Sequence, residues 1–216
     1  MMEKSKYQNI TDYFLKTMPN AETELKYNSP FQLLVAVRLS AQCTDKRINE
    51  ITPKLFSRFP DAKSLYNIDF EDFLPYIKSV SYPNSKAKDI LASAKIIVDN
   101  FNGEIPKTVE ELQTLPGVGP KTANVVASVL YGANVMPVDT HVFRVSARIG
   151  LTKKAKNPLQ AEKQLEEGFD NKVINKAHHW LILHGRYVCT ARNPKCEKCG
   201  IAKFCDFYNN NFELNK

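Results

Sequence analysis

The sequence predicts an all-α protein, and three observations carry that prediction. Apolar residues recur at helical spacing along most of the 216 residues. Helix start and stop signals stand at the ends of those periodic segments. No segment offers the β-branched alternation and hairpin turns of a sheet protein. Ser29-Pro30 opens a helix with a capping serine and a proline at the first helical position, and Leu33, Leu34, Val37 and Ala41 supply its apolar face. Thr44-Asp45 starts a second, followed by Ile48, Ile51, Leu55 and Phe59. Residues 70–80 read as a short helix broken near Pro75. Residues 85–100 read as a longer one, with Ile90, Ala94, Ile97 and Val98 on one face and Gly103 beyond its end. Thr108 and Glu111 fit a capping box. Further helical patterns cover 120–131, 140–149, 158–167 and 172–184. The last twenty or so residues lack apolar periodicity and need some other organiser.

With 43% hydrophobic and 25% charged residues, the composition is globular and excludes intrinsic disorder. No apolar run approaches the ~18 residues of a spanning helix, and Met1-Met2-Glu3-Lys4-Ser5-Lys6 has no apolar stretch of a secretory signal. The expected location is therefore the cytoplasm, with no membrane partner. Thirty Lys and Arg against 23 Asp and Glu leave a net charge of +7, which favours a polyanionic partner without naming one.

Leu115-Pro-Gly-Val-Gly-Pro-Lys-Thr122 lies between two helical patterns. It lacks the spacing of a P-loop and both the third glycine and the preceding strand of a dinucleotide fingerprint. What remains is helix, Gly-x-Gly turn, helix. Such a turn can aim successive N–H groups and a helix N-terminus at a phosphate; an ordinary turn between helices needs glycine as well. Lys121 falls in the first turn of a helix, where the macrodipole disfavours a cation. It reads as a phosphate contact or as an amine for nucleophilic use.

Of five cysteines, Cys43 stands apart and reads as a small half-buried thiol. Cys189, Cys196, Cys199 and Cys205 form Cys-x6-Cys-x2-Cys-x5-Cys, which without a signal peptide reads as a metal site rather than disulfides. Only one Cys-x2-Cys pair is present, where zinc sites usually show two. The spacing leaves iron–sulfur and zinc both open. Arg192, Lys195, Lys198 and Lys203 make this region basic, either as a DNA-facing surface or as a solvated one.

Leu115-Pro-Gly-Val-Gly-Pro-Lys-Thr-Ala-Asn124 resembles the helix-hairpin-helix motif of the endonuclease III family of DNA glycosylases. Leu39-Ser-Ala-Gln-Cys-Thr-Asp45, Asn84-Ser-Lys-Ala87, Val138-Asp-Thr-His-Val-Phe-Arg144 and the cysteine array align in the same order, so the resemblance covers nearly the whole chain. It implies a two-lobed helical glycosylase fold, with residues 23–134 a helical barrel carrying the hairpin, and residues 1–22 plus 135–216 a lobe holding the cluster. DNA would bind in the cleft between them. The resemblance also implies a [4Fe–4S] cluster on the four cysteines and makes Lys121 the nucleophile with Asp139 as its carboxylate partner. The activity would be that of a bifunctional glycosylase and abasic-site lyase in base-excision repair. It would excise oxidised pyrimidines through a lysine Schiff base and cleave the strand by β-elimination.

The partner would be double-stranded DNA with a damaged or abasic site, bound by a monomer. The target base must leave the stack; Gln42 would fill the gap, and Gly117, Val118, Gly119 and Thr122 would hold the backbone, with Arg192 and Lys195 on the cluster loop. Where the family commonly shows a Gly-Leu-Tyr-like segment before Asn-Ser-Lys-Ala, this chain has Ser81-Tyr82-Pro83, and Tyr82 is the candidate wedge. Blander readings stand beside these: Gln42 as an exposed polar residue, Asp139 as the cap of the helix at Thr140, His141 as a hydrogen-bonded structural histidine. His178, His179, Trp180 and His184 read as packing a helix near the cluster.

Two rivals remain. An adenine-specific mismatch glycosylase is similar in fold and cluster, but those enzymes lack the hairpin lysine and carry a further C-terminal domain. A non-catalytic iron–sulfur module would use the hairpin for phosphate contact alone.

Overall fold

A computed structural model describes residues 5–213; the predicted cluster lobe's outermost residues, 1–4 and 214–216, lie outside them. Among the described residues there are helices and turns and no strand. The chain divides into two compact units. Met1–Thr23 and Asn134–Lys216 together make one, and Glu24–Ala133 is the other.

The first unit opens with α1 (Lys6–Thr17), whose capping Ser5 hydroxyl accepts the N–H of Gln8. The chain then builds the whole second unit before returning. There, α2 (Pro30–Ser40) starts at Ser29 and Pro30 as its sequence requires and is apolar on nearly every side: Phe31, Leu33, Leu34, Val35, Ala36, Val37 and Leu39 are all buried. A helix of that kind belongs inside a bundle, and α2 packs against α3 (Asp45–Arg58), α5 (Pro83–Phe101) and α7 (Pro120–Tyr131). α4 (Phe70–Ile77) runs through Pro75 without the expected break. Pro75 withholds only the N–H that would meet the carbonyl of Glu71, an exposed residue whose carbonyl can turn to water. α5 begins two residues before its expected start, with Pro83 in the first turn. It ends at Asn102 and Gly103, both left-handed and both donating N–H to the Ile97 carbonyl. The capping box forms at α6 (Val109–Leu112), with both reciprocal bonds between Thr108 and Glu111 present.

Back in the first unit, α8 (Thr140–Ile149) packs on α9 (Pro158–Gly168) and more extensively on α10 (Ile174–Tyr187). The centre of the core is Trp180, fully buried. Its ring stacks on Phe14 of α1 (centroids 5.7 Å apart) and its indole N–H donates to the Met18 carbonyl at 2.8 Å. Lys6 ties the start of α1 to the Ile149 carbonyl (2.9 Å) and pairs with Asp206. Beyond α10, the described residues form short 3-10 turns, Cys196–Lys198 and Ala202–Phe204, then α11 (Asp206–Tyr208) and a π-helical turn, Asn209–Glu213.

Burial pushes the His179 imidazole on α10 down to about 4, against an ordinary value near ~6.5. The unfolded chain therefore binds the extra proton between those values, and stability present at neutral pH is lost as pH falls through that window. His179→Gln should reduce the loss between pH 7 and pH 5 by on the order of 1 kcal/mol, read from urea denaturation at the two pH values.

Candidate catalytic hairpin and cluster site

The hairpin joins α6 to α7 through two glycines in different circumstances. Gly117 has φ +72°, and a Cβ there would sit 2.8 Å from the Asp89 carboxyl carbon and collide with the Arg38 guanidinium. Arg38 of α2 and Asp89 of α5 form an ion pair beneath the turn, and the Ser93 hydroxyl donates to the Pro116 carbonyl (3.1 Å). Gly117 is thus demanded by conformation and by packing. Gly119 caps α7 with φ −84°, and a Cβ there meets nothing within 4 Å. Nothing inside the protein requires glycine at that point; an outside group approaching the backbone would. Val118 buries its side chain, so of this residue only the backbone faces a ligand. Lys121 is exposed on the first turn of α7, with Pro120 at its start and Thr122 half-buried beside it.

Asp139 lies in the other unit, half-buried at the N-cap of α8, where Oδ1 accepts the Val142 N–H at 2.7 Å. The capping reading is realised, and it uses one carboxylate oxygen. His141 Nδ1 is 3.3 Å from the Arg144 guanidinium; since guanidinium only donates, Nδ1 accepts and the ring proton is on Nε2.

Sequence reasoning missed Arg144 and Arg148. Arg144 donates to the carbonyls of Gly185 (2.9 Å) and Cys189 (3.1 Å), and Arg148 to those of Thr190 (2.8 Å) and Ala191 (3.0 Å), with a guanidinium nitrogen 3.5 Å from Cys189 Sγ. Their four-residue spacing from one another, on the helix that Asp139 opens, was the available signal. They hold the loop on which Arg192 and Lys195 stand exposed, a loop closed on itself by the Thr190 hydroxyl donating to the Arg192 carbonyl (2.7 Å).

Cys189, Cys196, Cys199 and Cys205, none in a disulfide, line one pocket together with Ile149, His184 and Ile201. Among the described residues no three Cys, His, Asp or Glu side chains gather closely enough to hold a single ion. All four thiols open on the same space, which a polynuclear cluster could fill. Burial raises the Cys199 thiol to about 11, with the neighbouring thiolates adding to the rise, and burial likewise raises Cys196 and Cys205. Four thiolates in this pocket need a positive core to neutralise them. His184, pushed down to about 4 by burial, stays neutral with Nε2 3.5 Å from Cys199 Sγ.

Gln42 and Tyr82, the two residues expected to enter the DNA stack, come together within the Glu24–Ala133 unit. Both are exposed, Tyr82 to 66%, and both are left-handed, with φ 58° and 55°. Cys43, next to Gln42, is half-buried and hydrogen-bonded to Ser81, next to Tyr82. Burial would raise its thiol, but the Ser81 N–H and hydroxyl and the charges of Lys86 and Arg47 outweigh that and hold it below its ordinary value.

Residues 35–171 match the model of the HhH-GPD superfamily of base excision DNA repair proteins, and residues 189–205 match that of the iron–sulfur binding domain of endonuclease III. The chain is 46% identical to endonuclease III of Rickettsia conorii, over 97% of this chain and 99% of that one. It is 40% identical to endonuclease III of Escherichia coli, over 95% and 97%. A solved structure of a trapped covalent endonuclease III–DNA intermediate is similar with a TM-score of 0.87 at 37% identity, covering 96% of this chain and 99% of that one.

Gly117→Ala should destabilise the protein by about 1–3 kcal/mol, the cost of a non-glycine residue forced into this region. Gly119→Ala should shift stability by less than about 0.5 kcal/mol while weakening DNA binding; urea denaturation and a gel-shift titration check the pair. The purified protein should absorb broadly in the visible and contain iron and acid-labile sulfide, and Cys199→Ser should bleach it. A colourless, zinc-bearing protein would overturn the cluster assignment.

Proposed function

The chain belongs to the endonuclease III family within the HhH-GPD superfamily of base excision DNA repair proteins, and on that premise we propose that it excises oxidised pyrimidines from duplex DNA and cleaves the strand at the resulting abasic site. The observation that carries this reading is an exposed lysine in the first turn of a helix, next to a glycine that no protein atom crowds. The backbone there can accept a phosphate while Lys121 reaches the sugar beside it.

In the proposed reaction the uncharged Lys121 amine attacks C1′ of the extruded nucleotide. The N–C1′ bond forms as the glycosidic bond breaks, and the base leaves with a proton. Ring opening gives an imine, which acidifies C2′. Loss of the C2′ proton expels the 3′ phosphate by β-elimination, and water releases the lysine. The Asp139 carboxylate stabilises positive charge developing on the sugar, then takes the proton that the lysine sheds and passes it to the departing base. The Val142 N–H on Oδ1 orients the carboxylate without occupying its second oxygen.

A [4Fe–4S] cluster on Cys189, Cys196, Cys199 and Cys205 supplies a fixed positive core that organises the loop bearing Arg192 and Lys195, which would meet the DNA backbone. Gly117, Val118, Gly119 and Thr122 contribute backbone contacts, and His141 a donor toward DNA. The protein would work as a cytoplasmic, DNA-associated monomer; among the described residues no helix is long and apolar enough to cross a membrane.

Borohydride trapping tests the proposal. Wild-type protein with abasic duplex should give a covalent protein–DNA adduct. Lys121→Gln should give none, and Asp139→Asn should slow base release by about 10²–10⁴-fold. Normal trapping by Lys121→Gln would remove the lysine from its role, and absence of any wild-type adduct would leave a phosphate-binding module.

A further inference from the structure

Gln42 and Tyr82 stand on separate loops, one following α2 and the other preceding α5, and a single residue joins those loops. The Ser81 N–H donates to Cys43 Sγ (3.2 Å), and the Ser81 hydroxyl donates to the Gln42 carbonyl (2.8 Å). The Cys43 thiol in turn reaches Ser81 Oγ at 3.5 Å. From beneath, Lys86 in the first turn of α5 is only 2% exposed, and its ammonium donates to the carbonyls of Leu39 (2.8 Å) and Ala41 (2.6 Å) at the end of α2. A helix C-terminus leaves carbonyls without intrahelical partners; here they are claimed by a side chain from the element that carries the other loop.

The backbone on both sides of this contact is held in a conformation that residues other than glycine adopt only when their surroundings impose it. Gln42 and Tyr82 share left-handed φ values, and Tyr82 begins α5 without a side-chain capping bond. At Gln42 this conformation belongs to a turn closed by the Cys43 N–H donating to the Ser40 carbonyl (2.9 Å), and the bonds across the two loops tie that turn to Tyr82. Their effect is to hold two exposed side chains, an amide and an aromatic ring, at the surface of a scaffold that is rigid below them.

We propose that Ser81, supported by Cys43 and Lys86, is a positioning residue that locks Gln42 and Tyr82 into one pre-formed pair of prongs for the DNA stack. The inference rests on the reading of Gln42 and Tyr82 as the residues that enter the stack. A pre-formed pair does not have to be ordered when the damaged nucleotide swings out, so binding is tighter than with two independent loops. Ser81 takes no part in bond making or breaking; its influence runs through the depth to which the prongs insert.

The test uses full-length, cluster-loaded protein and a duplex with 2-aminopurine opposite an abasic site, whose fluorescence rises as the prongs unstack it. Ser81→Ala should raise KM for the abasic duplex about 3- to 10-fold, the equivalent of one hydrogen bond, and diminish the fluorescence rise. kcat, thermal stability and borohydride trapping on single-stranded abasic DNA, where there is no stack to enter, should stay at wild-type values. Ser81→Thr, which keeps the hydroxyl, should restore KM and fluorescence. Cys43→Ala attacks the same contact from its other side and should move both in the same direction. Wild-type KM and fluorescence in Ser81→Ala, with Gln42→Ala and Tyr82→Ala each diminishing the signal, would show that the prongs work unlocked and overturn the proposal. An undiminished signal in Gln42→Ala and Tyr82→Ala would instead remove the prong reading itself, and the proposal with it.

Discussion

Gly185 has no side chain, and that is what lets α8 lie on α10. A Cβ at this position would sit 2.9 Å from His141 Cβ and 3.0 Å from Val145 Cγ2, so any other residue would force the helices apart. From this one close crossing the rest of the unit takes its dimensions. Arg144 can reach the Gly185 carbonyl and the Cys189 carbonyl with one guanidinium. One turn further, Arg148 spans to the loop after Cys189 while its planar group lies over Phe207 at 4.9 Å. Asp139 caps the opposite end of the same helix. A candidate catalytic carboxylate and the first cysteine of the cluster set are therefore fixed to one rigid rod, and an error in the α8–α10 spacing would disturb both at once.

The Glu24–Ala133 unit follows a related logic with different parts. α2 is buried on nearly all sides and cannot carry a ligand-facing surface along its length. Its contribution is made at its end, where Lys86 gathers the last carbonyls and the chain emerges as the loop bearing Gln42. The hairpin is supported the same way, by the Arg38–Asp89 pair under Gly117 and the Ser93 hydroxyl under Pro116. In both places buried polar groups back a turn that a local bond already closes, Cys43 N–H to the Ser40 carbonyl (2.9 Å) and Val118 N–H to the Leu115 carbonyl (3.1 Å).

Much of this was readable from the chain. Helix starts at Ser29, Thr44, Thr108 and Asp139 follow from side chains that bond their own backbone a few residues on, and such local chemistry is written in adjacent letters. The expected break at Pro75 did not occur, because the cost of a proline depends on whether the orphaned carbonyl can find water, and that depends on exposure. Spacing alone left the cysteines open between zinc and iron–sulfur; the match of residues 189–205 to the iron–sulfur binding domain of endonuclease III decides between them. Likewise, Val118 belonged to a motif that suggested contact with DNA, yet its side chain points into the core. The Cys43–Ser81 and Arg144–Cys189 contacts join residues about 40 positions apart, and nothing in either neighbourhood announces its partner.

The order in which the chain leaves and re-enters its first unit has a consequence during synthesis. Glu24–Ala133 is contiguous and can fold as soon as it clears the ribosome. α1 is made before it but packs on residues made long after: Trp180 stacks on Phe14, and Lys6 pairs with Asp206. Until the C-terminal third emerges, Ile10 and Phe14 have no core to enter, so the first helix made is among the last to be buried. The nascent chain thus carries an amphipathic helix whose apolar side, Ile10 and Phe14, is uncovered while the Glu24–Ala133 unit can already fold, and its protection in that interval falls to whatever binds exposed apolar side chains in the cell.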